Sequence, residues 1–400
     1  MLNVTFFVNQ SLESPNGVGR YFPIAKELVK KNYNVNIITL HHNFESLKQK
    51  TFVKEGVNIF YVGQMHVLKI NGKKIYMNKL QLIRTVFVST FRMCLKGLAL
   101  KSDVLYVFKP QPINGIPALI VKFLKRKKLF VDCDDYEAYS NKLSKFEKIL
   151  FVLFENYLPK FADKITTHNL FLRNRYEKLG INKKELIYLP NGIDVERFSK
   201  IDENKILELK KEFNLKNKKV VLYFGSLSLM SGHAVDLLLK AFKIVKETVE
   251  NSVLVLVGGG EDIDFLKKYA EKLKIDSIIF TGAVDSEDIP CYLKLADVTI
   301  DPIYDTLVNK ARFPLKIIES MSLGVPVVTS DVGDRRKITE DGRAAVLVKP
   351  GDEKELSKGI IKILSDNKLS KKISKECVEI TKNYHWNRLV NIINLQLARF

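Results

Sequence analysis

The chain has 400 residues, 46% of them hydrophobic and 28% charged, a composition that supports a sizeable core and excludes a disordered or fibrous chain. At roughly 100–200 residues per domain, this length predicts two domains. The formal net charge is +20, and residues 1–200 carry 33 Lys and Arg against 16 Asp and Glu while residues 201–400 carry 32 against 29. A field of that sign on the first half favours an anionic partner, be it nucleic acid, an anionic membrane surface or a phosphorylated acceptor, unless it only reflects a lysine-rich proteome.

The four cysteines, Cys94, Cys133, Cys291 and Cys377, form no CxxC pair and no metal-ligand spacing, so they read as reduced packing residues of a cytoplasmic protein and predict no metal site. The N-terminus enters a β-like apolar run with no charged leader or cleavage site, and no run of about 18 apolar residues predicts a spanning helix.

Along the first half, short β-branched runs alternate with stretches of helical period, the pattern of βαβ units and parallel sheets. Residues 3–8 read as the first strand. The loop after it ends in Asn16-Gly17-Val18-Gly19-Arg20 and opens a helix over 18–31. There Gly17 and Gly19 let backbone N–H groups approach a phosphate at a helix N-terminus, although a ligand-free turn would use the same residues. The loop is not a GxGxxG fingerprint, and residues 8–20 are long for a dinucleotide turn.

Strands over 34–40 and 57–62 precede a helix over 78–100, in which Lys79, Arg84, Arg92 and Lys96 lie among long apolar positions. With Lys125-Arg126-Lys127-Lys128 this reads as a basic, partly amphipathic surface suited to anionic lipid headgroups, or else the apolar positions are core. A strand over 104–108, a helix over 113–125 and a strand over 128–132 follow. The last runs into Asp132-Cys133-Asp134-Asp135-Tyr136-Glu137, where a loop after a strand would present the carboxylates of Asp134 and Asp135 as candidate proton acceptors. A solvated acidic loop and a calcium or magnesium cluster fit the same residues. A helix over 142–161, a strand over 164–167, His168 as a structural histidine, a helix over 169–179 and a strand over 186–189 complete the half.

A polar, Lys/Glu-rich stretch between 194 and 217 precedes a restart of the alternation. Strands are predicted over 219–224, 252–258, 277–281, 298–302, 326–329 and 345–348, with helices beginning near His233, Glu261, Ile289, Leu315 and Asp352. Gly225 and Ser226 open the loop after the first of these strands, and Gly258-Gly259-Gly260 ends the next. Both suit a phosphate or a planar ligand, and both suit an ordinary turn. The segment from Arg312 to Val328 carries most chemistry: Pro314 starts a helix, Gly324 ends it, and Lys316 and Glu319 lie three apart on one face. A carboxylate there can accept two hydrogen bonds from a ribose diol, while Lys316 or Arg312 neutralises a diphosphate. Residues 383–400 have helical period and hold the single Trp.

That segment, with Tyr223-Phe224-Gly225-Ser226-Leu227, Leu256-Val257-Gly258-Gly259-Gly260, Phe280-Thr281-Gly282 and Leu189-Pro190-Asn191-Gly192-Ile193-Asp194, resembles the group 1 glycosyltransferases, the retaining GT-B family four. The resemblance implies an α/β fold of two Rossmann-like, doubly wound domains facing a cleft. It assigns 1–198 to acceptor binding, 199–382 to nucleotide-sugar binding, and 383–400 to a helix that crosses back to the N-terminal domain. It also implies sugar transfer with retention, with neither a bound metal nor a cofactor. Glu319 matches the second glutamate of the family's Glu-x7-Glu motif and is expected on the donor ribose; Gly17 and Gly19 match the glycine loop near the donor phosphates; Asn191 matches a structural turn. Three positions depart from the pattern: Ala311 stands where the first glutamate falls, and Leu227 and Ser231 stand near the cations that commonly clamp diphosphate.

The expected function is therefore transfer of a hexose-type sugar from a nucleoside-diphosphate donor to a glycan or polyprenyl-diphosphate-linked acceptor, possible at an anionic membrane surface. A non-catalytic nucleotide-sugar-binding partner and a GT-B epimerase are the alternatives. An NAD oxidoreductase lacks its fingerprint, and nucleic-acid binding lacks a recognised module.

Overall fold

The structure is a computed structural model and describes residues 1–14, 17–70, 73–140 and 143–399. Asn16 of the glycine loop, Lys142 at the expected start of a helix, and Phe400 lie outside the described residues. The chain divides into two compact units, Met1–Asn191 with Trp386–Phe400, and Gly192–His385.

The first unit carries strands β1 (Asn3–Val8), β2 (Asn34–His41), β3 (Thr51–Lys54), β4 (Val57–Gln64), β5 (Val67–Ile70), β6 (Lys73–Tyr76), β7 (Val104–Phe108), β8 (Lys128–Cys133), β9 (Lys164–Thr167) and β10 (Leu186–Tyr188). Its helices are α1 (Phe22–Lys30), α2 (Lys79–Ala99), α3 (Pro112–Lys125), α4 (Glu137–Ser140), α5 (Lys145–Tyr157) and α6 (Leu170–Lys178). The sheet order is β10-β9-β8-β7-β1-β2-β4-β3, parallel except for the edge pair β3–β4. Central strands such as β1 and β7 are near-continuous apolar runs because both of their faces are covered. Aromatic residues fill the core beneath the switch point, Phe6 meeting Tyr106 edge-on at 5.3 Å and Tyr106 meeting Phe130 at 5.5 Å.

The second unit carries β11 (Lys219–Phe224), β12 (Ser252–Val257), β13 (Ile278–Gly282), β14 (Val298–Asp301), β15 (Val327–Ser330) and β16 (Ala345–Val348), in the order β13-β12-β11-β14-β15-β16. All pairs are parallel. The strand order reverses between β1 and β7 in one unit and between β11 and β14 in the other. Open α/β sheets bind ligands outside the carboxyl ends of strands at such points.

The final helix, Trp386–Leu397, crosses back: Trp386, Leu389, Val390, Ile393 and Leu397 are buried in the aromatic core of the first unit. Its Asn394 accepts a 2.7 Å hydrogen bond from the Tyr33 hydroxyl.

Several features differ from the sequence reading, among them the helix Asn367–Thr381, which was not expected. The edge strand β3 and the hairpin β5–β6 were not expected, because segments of four residues are too short to show an alternating pattern. The expected helix over 18–31 begins instead as a π-helical turn, Gly17–Tyr21, before α1. The expected helix over 142–161 ends at Tyr157 and tightens into a 3-10 turn over Leu158–Phe161, where Pro159 withholds a backbone donor. Among the described residues no helix is long and apolar enough to cross a membrane.

Candidate functional site

In the second unit the chemistry gathers at the carboxyl ends of β11, β12 and β14. Strand β11 ends in Tyr223-Phe224, and Gly225 follows at φ +132°, a conformation that side chains resist. A Cβ on Gly225 would stand 2.5 Å from Lys316 Cε and 2.7 Å from its Nζ, so the missing side chain is what lets Lys316 reach this turn. A Cβ on Gly258 would stand 2.0 Å from the Gly225 carbonyl oxygen. The two glycine turns are further tied by Leu227 N–H, which donates to the Gly259 carbonyl at 2.9 Å. Ser226 accepts the Tyr223 hydroxyl on its carbonyl at 2.8 Å and the Ser228 amide on its own hydroxyl at 3.3 Å.

Lys316 and Glu319 project from the helix Leu315–Ser322, whose Ile317, Ile318 and Met321 bury the opposite side in the core. Pro314 precedes the helix with φ −82°, so the turn enters without a lost donor. The Lys316 ammonium donates to the Tyr223 hydroxyl at 3.0 Å, lies 3.2 Å from His233 Nδ1, and sits 4.3 Å from the centre of the Tyr223 ring. Burial lowers its pKa to about 8, with Arg335 and Arg312 acting in the same direction and Asp301 against them. Burial, then Lys316, pushes His233 down to about 2, so its imidazole is neutral and accepts from the ammonium.

Behind Lys316, Asp301 closes β14 and is held by Arg335 Nε at 2.7 Å and by the Thr329 hydroxyl at 3.1 Å. Burial opposes ionisation of Asp301, but Arg335 and Lys316 outweigh it and hold its carboxyl below the usual range. Arg312 lies beside the turn at Gly232, where a Cβ would stand 3.4 Å from Arg312 Nη1.

Glu319, one turn beyond Lys316, is only 8% exposed. Burial raises its carboxyl to about 7, against Arg197 and Lys316. Arg197 Nη1 stands 3.6 Å away, and its Nη2 donates to the Ser286 carbonyl at 2.7 Å. The unit thus brings Gly225, Ser226, Gly259, Arg312, Lys316 and Glu319 to one end of one sheet. The sequence reading assigned no site role to Tyr223, His233, Asp301, Arg335 or Arg197; a charged or polar residue at the last position of a strand, as Asp301 is, was the available signal.

The departures have structural counterparts. Leu227 is fully buried in the core, and Ala311 is fully buried as well, so neither position presents a polar group. Lys310 pairs with Asp305 at 2.9 Å.

In the first unit the chemistry lies at the ends of β1, β7, β8 and β9. Arg20, in the turn that contains Gly17 and Gly19, is 1% exposed and makes a two-pronged pair with Asp132, both bonds 2.6 Å. It also donates to Asn191 Oδ1 at 2.6 Å and to the Leu189 carbonyl. A Cβ on Gly17 would stand 2.2 Å from the Leu12 carbonyl oxygen, so the glycine seats this turn against the preceding loop. Asp134, Asp135 and Glu137 offer carboxylate oxygens within 4.8 Å of one another. The ammonium of Lys109 lies among them, 3.0 Å from Asp135, 3.8 Å from Asp134 and in contact with Glu137. A cation of the protein itself thus stands where a divalent ion would be needed. Burial opposes the charge on Lys109, but Asp134, Glu137 and Asp135 hold its pKa well above the ordinary value. Burial raises the Asp134 carboxyl. His168 is buried and pushed down to about 3, hence neutral, as a structural histidine is.

Residues 205–378 match the family of glycosyl transferases group 1. An uncharacterized glycosyltransferase of Methanocaldococcus jannaschii is 26% identical over 278 residues, 68% of each chain. A GDP-mannose-dependent alpha-(1-6)-phosphatidylinositol monomannoside mannosyltransferase of Mycobacterium tuberculosis is 26% identical over 232 residues, 57% of this chain and 60% of that protein. The solved structure of Anabaena HepE in complex with UDP and glucose superposes with a TM-score of 0.72 at 18% identity, covering all of both chains. Residues 205–378 are thus similar to the group 1 glycosyltransferases, and the chain, with its two parallel-sheet units, has the GT-B fold.

Proposed function

We propose that this protein transfers a hexose-type sugar from a nucleoside-diphosphate donor to a glycan or lipid-linked glycan, with retained anomeric configuration and without a metal ion. One observation carries the reading: Lys316, a partly buried cation at the β11–β14 switch point, touches the Gly225 turn while Glu319 stands one helical turn away. That spacing suits a diphosphate on Lys316 and a ribose diol on Glu319. Relatives support the donor class, since HepE was solved with UDP and the mycobacterial relative is GDP-mannose-dependent.

In this scheme the C1–O bond to the diphosphate breaks as the acceptor oxygen attacks the same face of the sugar. The acceptor proton passes to the departing phosphate oxygen. Lys316, with Arg312 near it and the N-terminus of the helix Leu315–Ser322, stabilises the charge that grows on the diphosphate. Gly17, Gly19, Gly225, Ser226 and Gly259 supply backbone close to the donor. Asp134 and Asp135 are the carboxylates proposed to meet the acceptor hydroxyl. A lipid-linked acceptor places the protein on the cytoplasmic side of an anionic membrane, as a peripheral protein.

A second reading is favoured by the buried Ala311 and Leu227, which leave two positions without polar groups: binding of a nucleotide sugar without turnover. Incubation with a panel of nucleotide sugars and lipid-linked glycans, with detection of released nucleoside diphosphate, tests both. Release that needs an acceptor is expected; tight donor binding with no release would replace the first reading by the second.

A further inference from the structure

In the first unit α2, α3 and α5 lie side by side in the layer over one face of the sheet, α3 packing against both neighbours. Each turns an apolar stripe outward. On α2 the buried residues are Ser89, Met93 and Gly97 alone. The last of these lies against Phe7 and Val121, where a Cβ would stand 2.7 Å from Phe7. Away from that side, Leu80, Ile83, Phe87, Phe91 and Leu95 repeat at helical spacing and are exposed, Leu80 to 81% and Phe87 to 73%. On α3, Ile116, Ile120, Phe123 and Leu124 repeat in the same way and are exposed. On α5, Phe146, Ile149, Leu153 and Tyr157 do so too, Phe146 to 75%. A helix at a water-exposed surface turns its apolar stripe inward, and contiguous exposed apolar patches of this kind mark an interaction surface.

The charges on these helices identify the occupant. Neither α2 nor α3 contains an Asp or Glu, while Lys79, Arg84 and Arg92 of α2 and Lys145 of α5 are exposed beside the stripes. A second copy of the chain would set these cations against their equals. On α5, Glu155 is buried and Glu147 is held by the Ser144 cap at the helix start, so cations outnumber acids around the stripes; an apolar surface with such a rim is complementary to a bilayer with anionic headgroups, which accepts aromatic side chains at the acyl boundary and pairs with Lys and Arg.

We propose that the outer face of α2, α3 and α5 is a membrane-docking surface that inserts the side chains of Phe87, Phe91 and Phe146 into an anionic leaflet. The proposal takes its biological purpose from the lipid-linked acceptor proposed above, but its geometry is independent of that reading.

Flotation of the full chain with vesicles of phosphatidylcholine, with and without phosphatidylglycerol, tests it. Binding is expected only with the anionic lipid, weakened but not abolished by added salt because apolar insertion is unscreened. F87S/F91S/F146S should weaken binding by roughly tenfold or more, the scale of withdrawing several aromatic side chains from contact with lipid. R84E/K145E, which leaves the stripes intact, should also weaken it. No binding at low salt, undiminished binding by the serine variant, or self-association that the serine variant abolishes would each overturn the proposal. Donor binding by the same preparations is read separately: donor binding and turnover without vesicle binding sinks the surface alone, and vesicle binding without either sinks the transfer reading alone.

Discussion

The ammonium of Lys316 and the hydroxyl of Tyr223 stand 3.0 Å apart at the end of β11, with the turn of Gly225 against the lysine stem. Tyr223 itself is buried, and its phenol is held well above the ordinary pKa by burial. It therefore remains a neutral partner that fixes the lysine without cancelling its charge. In the proposed role, a cation fixed in this way would meet a diphosphate with little reorganisation.

Lys316→Met should weaken binding of nucleoside diphosphate by roughly 10–100-fold, the loss expected for charge-assisted hydrogen bonds of about 1.5–3 kcal/mol. Wild-type affinity should itself fall as pH rises through about 8, since only the charged lysine attracts the anion. The sign for stability is opposite. A lysine whose folded pKa lies below its unfolded value costs folding free energy at neutral pH, and the cost disappears as pH rises. The Met variant should thus unfold at or above the wild-type temperature at pH 7. Calorimetric titration and scanning calorimetry read the two effects; unchanged affinity would remove Lys316 from the site.

Glu319→Ala should abolish detectable donor binding while the fold persists, and Glu319→Gln should retain a fraction of it. Because burial raises the folded carboxyl to about 7, its contribution to stability is present below the unfolded carboxylate range and is lost as pH rises through 7. The Gln variant, which does not titrate, should show a flatter dependence of unfolding temperature on pH between 5 and 8 than wild type. Parallel curves for the two proteins would contradict the assigned burial.

Gly225→Ala places a Cβ 2.5 Å from Lys316 Cε at a φ of +132°. A destabilisation of roughly 1–3 kcal/mol is expected from the backbone alone, together with weaker donor binding because Lys316 is displaced. Denaturant unfolding with the donor titration checks both; an alanine variant with normal affinity would show that the close approach of Lys316 is dispensable.

Removing Arg20 alone, as Arg20→Met, leaves Asp132 buried and uncompensated and should cost about 3–5 kcal/mol. Arg20→Met combined with Asp132→Leu should cost much less than the single change. Equal losses in the two proteins would mean that the pair contributes packing only.

Lys109→Ala removes the cation among Asp134, Asp135 and Glu137. The variant should lose stability progressively as pH rises and the carboxyls ionise, and millimolar calcium or magnesium should raise its unfolding temperature while leaving wild type unmoved. A wild-type protein stabilised by the same ions would show that Lys109 does not fill the site.

Much of the architecture was legible in the chain because parallel strands buried on both faces announce themselves as apolar runs. The bounds of β1, β7, β9, β11 and β16 coincide with the expected segments. Strand β3 and the hairpin β5–β6 were not legible, since strands of four residues are too short to announce a period. For the site, the spacing of Lys316 and Glu319 and the glycine turns could be read directly, as both are local properties of a helix and of backbone lacking Cβ atoms. The partners could not. Tyr223 and His233 reach Lys316 across 93 and 83 residues, and Arg335 reaches Asp301 across 34.

By itself the sequence determined the two-unit α/β alternation, the switch-point loops and the spacing of the residues proposed for the donor, because each depends on local period, turn chemistry and motif spacing. Only the tertiary structure decided which charges are compensated and which surfaces are covered. It buried Leu227, set Lys109 among the acidic loop's carboxylates, and turned the apolar stripe of α2 outward. Those outcomes depend on contacts between segments far apart in the chain, which hydrophobic periodicity does not encode: it places a stripe on a helix but not the side on which the sheet will lie.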